Sequence, residues 1–180
     1  MTQELYQKAM LFAGEKHSDQ KVPGTNSNYL LHISNVAMEI MIAYSNDKNF
    51  DLNFAIQTAI LHDTIEDTST NYNEIKDLFG EPIAKAVKAL TKDSSIEYKE
   101  DRMKDSLNRI NELQKEVGIV KIADRITNLQ TPPAHWEKEK IIKYCEEAKL
   151  ILKNLSDKND YLIKRLQLKI QEYEIKINYS

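Results

Sequence analysis

One cysteine, four glycines and four prolines are all that this 180-residue chain has of the residues that staple, bend or break a fold. With Cys145 alone, neither an internal disulfide nor a cysteine-based zinc cluster can form. Cys145 lies in the helical run KYCEEAKLIL and reads as a small packing residue rather than a nucleophile. So little Gly and Pro excludes a turn-rich β protein, and the abundance of Lys, Glu, Leu, Ile and Ala favours helices. A positive balance is missing too: the formal net charge is -3. That argues against a general nucleic-acid or membrane binder, and no basic stripe with interleaved aromatics is present. No apolar stretch approaches the about 20 residues needed to span a bilayer. The opening MTQELYQKAMLFAGEKH lacks the apolar core of a signal peptide, so the expected location is cytoplasmic. What is present is globular: 41% hydrophobic and 29% charged residues, in a length that suits one domain with a full core.

Helical periodicity runs from end to end, without repeats or low-complexity segments. Leu5, Ala9 and Phe12 share a face of a first helix expected to stop near His17. The polar SDQKVPGTNSN reads as a loop. A second helix after Tyr29 carries Ile33, Val36, Ala37, Ile40 and Met41, and Asp51 is placed to N-cap a third, LNFAIQTAILHDTIED. A short helix closed by Gly80 follows, and Pro82 fits the first turn of the next, IAKAVKALT. Residues 92–115 read as loop and then solvent-facing helix. GIVKIADRITNLQT is a further helix stopped by Pro132 and Pro133, and two long amphipathic helices, about 136–155 and 160–177, close the chain. The expectation is a single all-α domain over residues 1–180, with the helices of 137–177 packing on it.

The run ILHDTIEDT, residues 60–68, is where this pattern turns unusual. Leu52, Ala55, Ile56, Ala59 and Ile60 form an apolar stripe, and steps of three and four residues carry it on to His62, Asp63, Glu66 and Asp67. Carboxylates on a dry face need a cation or a rich set of donors, and acids at a helix C-terminus oppose the helix dipole. A frayed turn with solvated acids would account for these nine residues equally well. His32 and Asp124 add weight to the first reading: each sits at a core-facing position in an apolar helix, and Asn128 lies one turn beyond Asp124. His32, His62, Asp63 and Asp124 make a two-nitrogen, two-oxygen set from three helices, which suits manganese, iron or zinc better than calcium.

The order His, His-Asp, Asp resembles the HD-domain metal-dependent phosphohydrolases. The runs MLFAGEKHSDQ, YLLHISNVAMEI, AILHDTIEDT, LTKD and VKIADRITNLQT look like the hydrolase domain of RelA/SpoT enzymes, which remove the 3′-pyrophosphate from (p)ppGpp, the alarmone of the stringent response. PPAHWEKEKIIKYCEEA, with Trp136 and Tyr144, is similar to the same part of stand-alone small alarmone hydrolases, so a chain without a synthetase or regulatory domain is expected. The resemblance covers about residues 5–155.

It implies a single HD-type fold, one divalent ion, manganese in the family, held by His32, His62, Asp63 and Asp124, and a small nucleotide as substrate. Glu66 and Asp67 match the catalytic ED pair; Asn128, Thr131 and Tyr144 match nucleotide contacts. Lys21 and Arg125, with Arg102 and Lys121, are candidate phosphate cations. His17 reads as structural. The family's Arg-Lys pair in the loop after the HxxQ word is replaced here, where KVPGTNSN has Lys21 as its one cation and Val22-Pro23 near the expected pair. Two alternatives stay open: an HD hydrolase of another nucleotide, such as an adenine alarmone, a phosphorylated dinucleotide or a simple nucleotide, and a metal-binding helical module without turnover.

Overall fold

The computed structural model describes residues 1–133 and 135–179, the side chains of 178 and 179 excepted. In chain order its helices are α1 (Thr2–Lys16), α2 (Leu30–Asn46), α3 (Leu52–Leu61), α4 (Thr64–Asp67), α5 (Tyr72–Phe79), α6 (Glu81–Leu90), α7 (Lys99–Asn111), α8 (Lys115–Asn128), α9 (Lys138–Asn154) and α10 (Asp160–Tyr179). Among the described residues there is no strand, only an isolated bridge between Lys21 and Asn28. No helix among them is long and apolar enough to cross a membrane.

Local chemistry sets several of the helix ends. The Asp51 carboxylate accepts from the Asn53 and Phe54 amides and starts α3. Asn71 accepts from the Glu74 amide to start α5. Gly80 closes α5 at φ 91, a left-handed conformation open to a residue without Cβ, and Pro82 occupies the first turn of α6.

The centre of the molecule is α8. Every residue from Glu116 to Thr127 is buried, and α2, α3, α6, α7, α9 and α10 all pack on it. Ile119, Val120, Ile122 and Ala123 are fully inside, each larger one contributing about 1.5–3 kcal/mol by leaving water. A helix buried all round cannot carry bare charges, so each one it holds has a partner. Glu116 accepts from the Asp51 amide at 2.8 Å, Lys121 lies 3.1 Å from Asp124, and Arg125 lies 3.1 Å from Glu147. The last helix, α10, packs on α2, α8 and α9 through Leu162, Leu166, Ile170 and Tyr173, and Arg165 grips the buried Glu39 of α2 with two bonds of 2.6 Å.

Three expectations need correction. The third helix does not run through ILHDTIED; it stops at Leu61 and a separate turn of helix, α4, starts at Thr64. α8 ends at Asn128, before the prolines, where the Leu129 amide turns back to the carbonyls of Arg125 and Ile126. α7 is not simply solvent-facing: Met103, Ser106, Leu107 and Ile110 are buried.

Candidate metal centre

The break after Leu61 is what builds the site. In a continuous helix, neighbouring residues project about 100° apart, as 3.6 residues per turn requires. Asp63 instead adopts φ -98 and ψ -3, the sparsely allowed bridge region. The two consecutive side chains thereby meet, with His62 Nε2 2.8 Å from Asp63 Oδ2. From α2, His32 brings its Nε2 to 3.3 Å from that of His62 and 3.6 Å from Asp63 Oδ2. From α8, Asp124 Oδ1 lies 3.5 Å from His32 and 3.6 Å from His62. The ligand atoms of His32, His62 and Asp124, all three residues buried, lie within 4.8 Å of one another.

His32, His62 and Asp124 fit a divalent ion, and Asp63 stands beside the two histidines. His62 Nδ1 donates to the Ala59 carbonyl at 2.8 Å, which leaves the Nε2 lone pair aimed at the cluster centre. Two imidazole nitrogens that face each other at 3.3 Å both need a partner, and a cation serves both. Charge points the same way. Burial disfavours a charged His62, yet Asp63 and Asp124 outweigh it and hold the imidazole well above the ordinary histidine range. Burial opposes ionisation of Asp63 as well, but His62 overrides it and brings the carboxyl down to about 2. Asp124 lies well below the usual carboxylate range, its burial outweighed by Lys121, His32 and His62. The cluster thus demands positive charge in its middle, which a divalent ion supplies without a proton.

A surrounding layer orients these groups. The Tyr29 hydroxyl donates to Asp63 Oδ2 at 2.5 Å, and burial together with that carboxylate pushes its pKa far up, so it remains a donor. The Asn128 amide donates to Asp124 Oδ1 and the Lys121 ammonium to Oδ2. The rings of His17, Tyr29, His32 and His62 stack in a column with successive centroids 5.0, 5.0 and 5.3 Å apart. Tyr29→Phe should leave the fold intact and lower metal affinity about 10- to 100-fold, as loss of such an outer partner does. Chelator competition measures it, and unchanged affinity would free Asp63 from this role.

Glu66 and Asp67, expected on the dry face, are exposed one turn beyond Asp63. Separate donors hold them. Glu66 Oε2 accepts from the Lys92 amide at 2.9 Å, with the Lys92 ammonium 4.0 Å from Oε1. Asp67 Oδ2 accepts from the Gln20 amide group at 2.9 Å.

A family model described as the HD domain matches residues 9–160. The chain belongs to the HD-domain family. It is 37% identical over 130 residues to a guanosine-3′,5′-bis(diphosphate) 3′-pyrophosphohydrolase of Aquifex aeolicus, covering 71% of this chain but 18% of that protein's length. It is 29% identical to the Danio rerio enzyme of that name, MESH1, across 92% of both chains. A solved metazoan orthologue of SpoT, described as hydrolysing ppGpp, superposes with a TM-score of 0.80 at 24% identity, covering 93% of this chain and 94% of the other. That likeness carries the all-α HD fold.

Around the HD centre the remaining sequence candidates take different places. Asn128 is engaged with Asp124. Thr131 is exposed and its hydroxyl accepts from the Lys176 ammonium of α10 at 3.3 Å. Lys21 is exposed on the loop. Tyr144 lies against Trp136 with ring centroids 5.2 Å apart and lines a cavity of about 710 Å³ with Lys99, Lys140, Lys143 and Glu147. Arg125 is buried, its guanidinium 4.3 Å from the Tyr144 ring centre. It joins α8 to α9 rather than facing solvent. Lys121 and Arg102 are likewise taken up internally, Arg102 by the carbonyls of Ile96 and Ser94. Tyr29, Gln20 and Lys92 were not singled out as site residues. The HSDQ and LTKD words carry two of them, but their bonds join residues 26 to 47 positions apart.

Proposed function

We propose that this protein is a metal-dependent hydrolase that removes pyrophosphate from the 3′ position of (p)ppGpp and leaves GDP or GTP. The observation that carries the reading is the closure of His32, His62 and Asp124 on one point with Asp63 against the two histidines, and Glu66 and Asp67 held by separate donors on the exposed turn beside it. Relatives of the same length that bear this activity in their names support it. In this reading the four residues hold manganese in preference to iron or zinc. When bound there, the ion lowers the pKa of water and polarises a phosphoryl oxygen. Water attacks the phosphorus attached to the 3′ oxygen, the P–O3′ bond breaks, and Glu66 and Asp67 carry the proton from the water to the departing oxygen. Tyr144, Asn128, Thr131 and Lys21 form the nucleotide side of the site, and the buried Arg125 backs the Tyr144 ring. The cavity of about 710 Å³ beside Tyr144 has the volume of a small-ligand pocket, and its lining includes none of the metal-ligand candidates.

Turnover of ppGpp, pppGpp and pppApp with added manganese, with products separated by anion exchange, tests the reading. Pyrophosphate released from the guanine alarmones is the expected result; turnover of pppApp alone would keep the chemistry and replace the substrate.

The second reading, a different base, draws on the loop. Val22, Pro23, Gly24 and Thr25 form a β-turn closed by the Thr25 amide on the Val22 carbonyl, with Gly24 at φ 77. An added Cβ at Gly24 would lie 3.2 Å from Pro133, so the turn leans on the segment after Thr131. Val22 is half-buried and Pro23 exposed. Pro23→Lys therefore adds a cation without disturbing packing and should raise kcat/KM for ppGpp several-fold, about 1 kcal/mol of added phosphate contact. No gain in steady-state kinetics would separate this loop from phosphate recognition.

A further inference from the structure

Asp67 ends a four-residue helix and is exposed, so nothing in its own element fixes its carboxylate. What does so comes from 47 residues earlier in the chain: Gln20 Nε2 donates to Asp67 Oδ2 at 2.9 Å. A glutamine amide can present either end, and here Asp67 makes the choice. A carboxylate only accepts, so the amide NH2 faces Asp67, and Oε1 is left 2.6 Å from His17 Nδ1, which donates to it. His17 is 1% exposed and stacks on Tyr29, whose hydroxyl holds Asp63. The backbone of Gln20 is pinned on both sides, its amide bonded to the His17 carbonyl at 3.1 Å and its carbonyl to the Tyr29 amide at 2.9 Å.

We propose that Gln20 is a positioning residue for Asp67, with His17 anchoring the oxygen end of its amide, so that one short segment aligns the proton-transferring carboxylate with the metal centre. The proposal rests on the reading of Asp67 as catalytic. A neutral amide suits the task. It restrains one oxygen with a directed bond and adds no net charge beside it, whereas an ammonium in the same place would add a full opposing charge.

The test is a double-mutant cycle in ppGpp turnover, using Gln20→Met, which keeps the side-chain volume and removes both polar groups, together with Asp67→Ala. Gln20→Met should lower kcat about tenfold, the effect of one lost hydrogen bond to a charged group, with KM and metal content unchanged. The buried His17 Nδ1–H loses its acceptor, which lowers the thermal midpoint in both backgrounds alike. On the Asp67→Ala background it should have no further effect, because its only route to the reaction is gone. Gln20→Ala repeats the measurement should the methionine repack. An equal loss of rate in both backgrounds, or a loss that follows metal content, would overturn the proposal, and so would an unchanged kcat. Absence of alarmone turnover by the unaltered protein, or turnover indifferent to Asp67→Ala, would remove the functional reading beneath it. Turnover that needs Asp67 and ignores Gln20 would remove this proposal alone.

Discussion

Asp124→Ala should abolish metal retention and turnover together. Asp124 is the ligand candidate that comes from the fully buried central helix, and its carboxylate faces Lys121 at 3.1 Å, His32 at 3.5 Å and His62 at 3.6 Å. Its removal takes one oxygen from the set and leaves the Lys121 ammonium buried without its counter-charge, so part of the damage would fall on stability. Asp124→Asn separates the two effects. It keeps the shape and an oxygen able to accept from Asn128, while losing the charge that draws a cation. Loss of an outer partner of a metal ligand already costs about 10- to 100-fold in affinity or activity, and loss of a ligand's charge should cost at least as much. Metal content per chain by atomic emission, thermal midpoint and turnover are read on the same preparations. A folded Asp124→Asn protein that keeps its metal and its rate would sink the assigned centre.

Glu66→Gln should do the reverse, leaving the metal in place and slowing the reaction. The Glu66 carboxylate is exposed and is held through Oε2 by the Lys92 amide at 2.9 Å. Glutamine retains an oxygen for that amide, so the side chain stays where it is and loses its ability to take a proton. A missing general acid–base group costs about 10² to 10⁴ in kcat. Single-turnover kinetics at saturating ppGpp isolates the chemical step. Unchanged kcat would strike Glu66 from the mechanism and leave proton transfer to Asp67 alone. The two variants form a pair, since Asp124→Asn removes metal and rate while Glu66→Gln removes rate only.

His32 and Asp124 could be read in the chain because each sits in a local pattern that says where its side chain goes. Asp51 before an apolar stripe, Gly80 after one and Pro82 at the start of the next set helix ends through bonds and sterics within a few residues. His32 and Asp124 fall on core-facing positions of helices whose stripes are plain in the sequence, and both are buried. The same periodicity misplaced the residues beyond Leu61. It carried the stripe through His62 and Asp63 to Glu66 and Asp67, whereas the backbone leaves the helix at Asp63 and turns the last two acids outward.

Composition and periodicity by themselves determined that this is an all-α protein, and brought two histidines and two aspartates forward as candidate metal ligands. Only the tertiary structure decided how those groups are aimed. Tyr29 on Asp63, Gln20 on Asp67 and the Lys92 amide on Glu66 are single directed bonds across 34, 47 and 26 residues. It also decided that Arg125 and Lys121, which read as phosphate cations, are buried against Tyr144 and Asp124. The physical reason is range. Helical periodicity and capping act within a turn or two of the chain and fix which face a side chain is on. The partner that orients it is chosen by the packing of separate helices around α8, for which no local pattern in the sequence exists.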